Sequence, residues 1–246
     1  MTPKLALIVS FVAGAGVVAT LQPDESLPQP ALVTPGLPPT GAVTPAPSDA
    51  IVLFDGTSMS HWLTADGKAA APWTPEGKVG GFMQCVPGSG QITSKEHFAD
   101  AQIHVEFATP EKVAGDGQGR GNSGVFLQGR YEIQVLDSYN NKTYANGQCA
   151  SVYGQHAPLV NVSRKPGEWQ TFDIIYRAAK FDAAGALTAK PRVTVLHNGV
   201  LVQDNVEIQG STSHVAKGPI DKGDGPISLQ DHGNTVRYRN IWVRKL

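Results

Sequence analysis

The sequence predicts an all-β fold, a sandwich of two antiparallel sheets, and three observations carry that prediction. Short runs of alternating apolar and polar residues recur along the chain, Gly, Asn, Asp and Pro turns separate them, and no segment sustains the 3.6-residue apolar period of a helix. The 27 glycines and 18 prolines among 246 residues weigh against a helical bundle for the same reason.

The first segment is not read as part of that sandwich. Lys4 precedes the apolar run Leu5 to Ala19, and small residues at its end suit cleavage, so residues 1–19 read as a secretory signal peptide. The run is about 15 residues, shorter than the roughly 20 that span a bilayer, which disfavours an uncleaved anchor. Residues 20–49 are thick with Pro and small side chains and carry no apolar period, so they are expected to form an extended, disordered linker. Residues 50–246 then make one domain, long enough for a hydrophobic core.

Within that domain AQIHVEFA sets Ile103, Val105 and Phe107 on one face and His104 and Glu106 on the other. SGVFLQ, RYEIQVLD, WQTFDIIYR, RVTVLHNG, PISLQDHG and VRYRNIWVRK repeat the pattern, and Asn198-Gly199 marks a tight hairpin turn in VTVLHNGVLVQD. Trp169 and Trp242 sit in strand patterns that read as core. Strands polar on one face and aliphatic on the other suit two curved sheets with a concave outer surface, and in a jelly roll a sugar would lie there.

Twenty Lys and Arg nearly balance 21 Asp and Glu, and no basic block interleaves with aromatics, which excludes a nucleic-acid footprint. The expected partner is a neutral or small molecule. Cys85 and Cys149 leave two readings open, one disulfide in an exported chain or two separate buried thiols. Asn141-Lys142-Thr143 and Asn161-Val162-Ser163 fit the glycosylation pattern.

Four stretches carry chemistry-bearing residues. In YEIQVLDSY, Glu132 and Gln134 share a strand face, and Asp137 would join them only if a β-bulge intervened. Two carboxyls and an amide on one face suit glycosidic-bond chemistry; solvated residues on an outer sheet face are the plainer alternative. In GRGNSGVFLQG, glycines beside Arg120, Asn122 and Ser123 allow close backbone approach to a ligand, with Arg120 as a cationic fork or simply a surface charge. In GPISLQDHGN, period two puts Ser228, Gln230 and His232 together, and His232 can exchange protons near neutral pH. In VYGQHAPLVN, Gln155 and His156 lie in a loop that either orients substrate hydroxyls or merely connects strands. His104 and Glu106 make no metal site without a third ligand, and neither a phosphate loop nor a Gly-x-Ser-x-Gly elbow is present.

Taken in order, LFDGTSMSHW, GNSGVFLQGRYEIQVLDSY, YGQHAP, KPGEWQTFDI, LHNGVLV and GPISLQDHGNTVRYRNIWVR resemble the 3-keto-disaccharide hydrolase domain family over essentially residues 51–246. The resemblance implies a concanavalin-like jelly roll related to laminarinase-like glycosidases, whose catalytic strand carries acid-x-acid-x-x-acid. Gln134 stands here where the central acid would be. The implied activity is cleavage of 3-keto-glycosides, in which the C3 ketone acidifies the C2 hydrogen and the C1 oxygen leaves by elimination, with water adding afterwards.

Glu132, His232 and Asp137 are then the candidate acid and base groups, and Arg120, Asn122, Gln134, Gln155, His156 and Gln230 the candidate substrate-binding set, in a secreted or periplasmic enzyme acting on a small saccharide. Glu132, Gln134 and His232 should converge in one pocket. No cofactor is assigned, and a divalent cation near Glu132 and His232 is left open. A noncatalytic carbohydrate-binding module using the same concave face is the alternative, as is a structural domain of the cell envelope.

Overall fold

The computed structural model describes residues 26–34, 43, 45–73, 81–212 and 220–246; the segment read as a signal peptide lies outside them. The fold is a jelly-roll sandwich of two antiparallel sheets. The larger sheet runs β14 (Val200–Glu207), β13 (Arg192–His197), β10 (Gln170–Arg177), β6 (Ala101–Ala108), β16 (Arg237–Lys245) and β2 (Ile51–Phe54), with the short β4 (Met83–Gln84) also on β16. The smaller sheet runs β3 (Trp62–Thr64), β5 (Ile92–Phe98), β15 (Gly225–Leu229), β7 (Ser123–Leu127) and β8 (Tyr131–Val135). β11 (Lys180–Phe181) and β12 (Leu187–Ala189) form a separate two-stranded ribbon, and helical geometry among the described residues is confined to two short 3-10 turns, Gly117–Gly119 and Ala145–Gly147.

The period-two pattern explains the layers. Ile103, Val105 and Phe107 of β6 and Phe172, Ile174 and Tyr176 of β10 face Val125, Leu127, Tyr131, Ile133 and Val135 of the smaller sheet in one core. Polar bridges cross it where an aromatic hydroxyl would otherwise be stranded: Tyr238 donates to Ser123 Oγ at 2.7 Å and Tyr176 to Gln128 Oε1 at 3.0 Å. The hairpin turn forms at Asn198 and Gly199, at φ of 52° and 78°.

Four expectations are refined. Within the stretch read as disordered, β1 (Ala31–Leu32) is extended but docked, pairing in parallel with β9 (Val160–Asn161), and Val33 N–H donates to Asn161 O. The physical reason is that prolines spare only some backbone donors; the rest still need acceptors, and the Val160–Asn161 edge supplies them. Cys85 and Cys149 are two buried free thiols, the second of the two readings. Trp242 is buried, whereas Trp169 is half-buried beneath Arg239, whose guanidinium carbon lies 4.1 Å from its ring centre. Asn141 and Asn161 are buried, and their side-chain amides donate to backbone carbonyls, so neither is presented to a glycosylating enzyme.

Candidate functional site

The site is built on the outer face of β8. Tyr131, Ile133 and Val135 point into the core, so Glu132 and Gln134 must point away from it, yet all five residues are buried. A second layer of chain explains this. Residues 150–153 run along the free edge of β8: Ala150 N–H donates to Gln134 O, Gln134 N–H to Ser151 O, and Tyr153 N–H to Glu132 O. Thr212 closes the other side, its Oγ1 accepting from Glu132 N–H at 2.8 Å and donating to Arg130 O.

Cross-strand register fixes what stands beside the two residues. Glu132 pairs with Phe126 and Gln134 with Gly124 on β7, Phe126 pairs in turn with Ser228 on β15, and Gln230 N–H donates to Gly124 O. Together Asn122, Phe126, Glu132, Gln134, Tyr153, Thr212, Gln230 and His232 line a cleft of about 300 Å³. Gly124 is part of its design, because a Cβ there would lie 2.5 Å from Glu132 Oε1. The glycine thus leaves the carboxyl room to lie diagonally across the sheet.

The Glu132 side chain has neither a hydrogen bond nor an ion pair among the described residues, and the residue is only 5% exposed. Burial without a counter-charge disfavours the ionised carboxylate and pushes its pKa from the ordinary 4.5 up to about 8. Two amide oxygens in the same walls, Gln134 Oε1 and Gln230 Oε1, are buried without a donor among the described residues. For Gln134 the orientation follows from its surroundings. Gly147 O can only accept, so the Gln134 amide nitrogen faces it and Gln118 Oε1, leaving Oε1 on the other side. Asn122 is held by Nδ2 donating to Gln118 O, and His232 lies exposed at the mouth, past the end of β15. The cleft therefore offers one proton-hungry carboxyl, two unfilled acceptors and an imidazole.

The remaining sequence-derived candidates lie elsewhere. Asp137 does not join Glu132. Consecutive Val135 and Leu136 both enter the core, breaking the alternation, and Asp137 N–H donates to Arg120 O. Its carboxylate instead accepts from Arg120 Nε at 2.6 Å, while Arg120 also donates to Tyr139 O. The pair belongs to a separate cleft lined by Pro110, Lys112 and Asn234 among others. Gln155 and His156 are outside the Glu132 cleft too, occupied in stapling two loops: Gln155 bonds Gly210 O and Gln209 N–H, and the His156 ring bonds Glu207 O. Ser228 lies on the cleft's sheet face but its hydroxyl is engaged with Thr93.

His104 and Glu106 sit on the far face of the larger sheet in an ion-pair network with Asp173 and Arg239. Burial opposes ionisation of both. The Asp173 carboxylate, which accepts from His104 Nδ1, and the nearby Glu106 charge nevertheless raise His104 to about 9, while the His104 charge and the hydrogen bonds donated by Asn240 and Arg239 lower Glu106 to about 2. Among the described residues no group of three or more His, Cys, Asp or Glu is arranged to hold a metal ion. Sequence reasoning missed Tyr153, Thr212 and Phe126 as cleft residues. Phe126 was legible as the cross-strand neighbour of Glu132, whereas the other two arrive through long-range loop packing that no local pattern encodes.

Comparison with known proteins bears on what such a cleft does. A family model described as a 3-keto-alpha-glucoside-1,2-lyase-like domain matches residues 49–244. A provisionally assigned glycosyl hydrolase from Parabacteroides distasonis ATCC 8503 has a crystal structure similar at TM-score 0.78, with 44% identity over 96% of this chain and 100% of that one. Another such protein from the same organism matches at TM-score 0.59 with 19% identity, over 80% of this chain and 94% of that one, and shares the fold. No curated protein matches the chain.

Proposed function

From membership of the 3-keto-alpha-glucoside-1,2-lyase-like domain family, to which this chain belongs over residues 49–244, we propose that it cleaves 3-keto-glucosides by elimination across C1 and C2. At the coarser level it is a carbohydrate-active jelly-roll protein of the glycosyl-hydrolase-like or carbohydrate-binding kind. The observation that carries the finer reading is Glu132: a buried carboxyl that, among the described residues, has no counter-charge and lies in a cleft with no second acid.

Double displacement by a retaining glycosidase needs two carboxyls roughly 5 Å apart. Among the described residues this cleft has one, with Gln134 beside it. Elimination needs only one base. The C3 ketone makes the C2 hydrogen acidic; Glu132 takes that proton, the electron pair forms the enolate, and expulsion of the C1 oxygen restores the ketone. Burial favours the step, because a carboxylate stripped of water becomes neutral when it accepts the proton. Gln134 Oε1 and Gln230 Oε1 accept hydrogen bonds from sugar hydroxyls, and the His232 ring, at the mouth, donates to the developing C3 oxygen. Water then adds to the unsaturated sugar, giving net hydrolysis, or the unsaturated product is released. The apolar segment at residues 5–19 supports an exported protein as the setting of this activity.

The test is incubation with a 3-keto-glucoside and with its unoxidised parent, with and without a chelator, following aglycone release. Release from the keto compound alone, lost in Glu132→Gln, is the expected result. Equal turnover of both compounds overturns elimination. Binding of saccharide without turnover of either transfers the protein to the carbohydrate-binding class.

A further inference from the structure

Elimination leaves a second requirement that Glu132 does not meet. The departing oxygen of a sugar or alkyl glucoside is a poor leaving group as an alkoxide and has to be protonated as the C1–O bond breaks. Among the described residues lining the cleft, two carry a transferable proton besides Glu132. They are Tyr153 and His232, since the Thr212 hydroxyl is already donated to Arg130 O.

The Tyr153 ring is placed with care. Its backbone N–H is tied to Glu132 O, Val152 pairs with Ile133, and Gly154 N–H donates to Asn146 O, so the ring is set against the β8 side of the cleft beside Glu132. Its hydroxyl is hydrogen-bonded to that of Tyr144, and the two rings meet edge to face with centres 6.2 Å apart. Tyr144 is half-buried, whereas Tyr153 is buried. Its ring lies so close over Gly147 that a Cβ there would fall 2.0 Å from it, and Gly147 N–H in turn donates to Tyr144 O. A buried phenol whose hydroxyl is backed by a second, more exposed phenol has the form of a proton relay from water to the cleft.

Resting on the elimination reading above, we propose that Tyr153 is the catalytic acid for the leaving oxygen and that Tyr144 re-protonates it. The step balances. Glu132 carboxylate takes the C2 proton and becomes the acid; the C2 electron pair, held first in the enolate, forms the C1=C2 bond as C1–O breaks. The Tyr153 O–H proton passes to the departing oxygen, which leaves as an alcohol. Tyr153 then recovers a proton from Tyr144, Tyr144 from water, and Glu132 returns its proton to solvent. Burial keeps both phenols protonated throughout the neutral range, so each is available as a donor.

The experiment compares methyl and 4-nitrophenyl 3-keto-glucosides of one anomeric configuration, with C2 hydrogen–deuterium exchange measured in deuterated water. The nitrophenolate needs no proton to leave. Tyr153→Phe is expected to lower kcat on the methyl compound by about 10²–10³-fold. On the nitrophenyl compound it should cost less than about 10-fold, and C2 exchange should continue because Glu132 is intact. Tyr144→Phe should show the same selectivity with a smaller loss, which keeps the relay testable should Phe at position 153 lower Tm. Equal losses on both compounds, or an unchanged rate on the methyl compound, overturn the assignment. Absence of both C2 exchange and aglycone release in the unaltered protein overturns the elimination reading itself.

Discussion

At the scale of single residues, Glu132 carries both the proposed chemistry and the expected pH response. With a pKa raised from 4.5 to about 8, its folded form keeps a proton that the unfolded chain has already released between those values. The sign follows: stability falls as pH rises through that window, and the cost approaches the order of 4–5 kcal/mol above it. Glu132→Gln is therefore expected to raise Tm strongly at pH 9 and little at pH 5, while abolishing turnover. Equal Tm shifts at both pH values would refute the buried, unpaired carboxyl. In the unaltered protein the proposed role of the same group predicts kcat/KM rising with pH towards about 8, where a carboxylate of ordinary pKa would give a flat profile. Gly124→Ala tests placement separately. Its Cβ would meet Glu132 Oε1 at 2.5 Å, so the movable carboxyl is displaced rather than the sheet, and a roughly 10²-fold loss of kcat with an unchanged circular dichroism spectrum is expected.

At the scale of elements, β8 carries the site because its two faces have different cover, core on one side and loop on the other. Its strand character, and the shared face of Glu132 and Gln134, were legible because period two is a local property of the sequence. Burial of that outer face was not legible. It depends on residues 150–153 and Thr212, far along the chain, and alternation alone cannot distinguish a covered face from a wet one. Asp137 shows the same limit. The alternation does break before it, between Val135 and Leu136, yet the carboxylate turns to Arg120, a partner 17 residues back, and not to the cleft. Gln155 and His156 were correctly read as loop residues, but their polar atoms are spent on backbone groups of residues 207–210. Asp137 is accordingly expected to be structural. Asp137→Ala leaves Arg120 unpaired and should cost about 3 kcal/mol of stability, by breaking a largely buried ion pair. Below the lowered Tm the variant should retain kcat within a few-fold. Loss of turnover at unchanged Tm would return Asp137 to the chemistry.

At the scale of the whole molecule, two sheets and one core follow from strand patterning that the sequence displays openly, and the family over residues 49–244 from the motifs that resemble it, but the position of the N-terminal arm follows from neither. A Pro-rich stretch without apolar period gives no local reason to dock. It docks through backbone pairing, which is blind to side-chain type, with Ala31 and Leu32 beside Val160 and Asn161 and the Gln29 side chain accepting from Gln148 Nε2. Leu32 stays 73% exposed, so little apolar area is buried and the contact contributes weakly to global stability. Its reach is local. Gln148 also donates to Asn141 O and is followed by the residues that edge β8, while Gly147, on its other side, supplies the carbonyl that orients Gln134. The arm thus braces the loop that orients Gln134 and leads on to Tyr153, a residue of the cleft wall. Deleting residues 1–34 is expected to lower Tm by only about 2–4 °C, corresponding to a loss near 1 kcal/mol in a domain of this size. Faster amide hydrogen exchange should be confined to residues 138–149 and 160–163, with the cores of both sheets unchanged. A global rise in exchange would make the arm an integral strand of the sandwich, and no change in the loop would make its docking energetically silent.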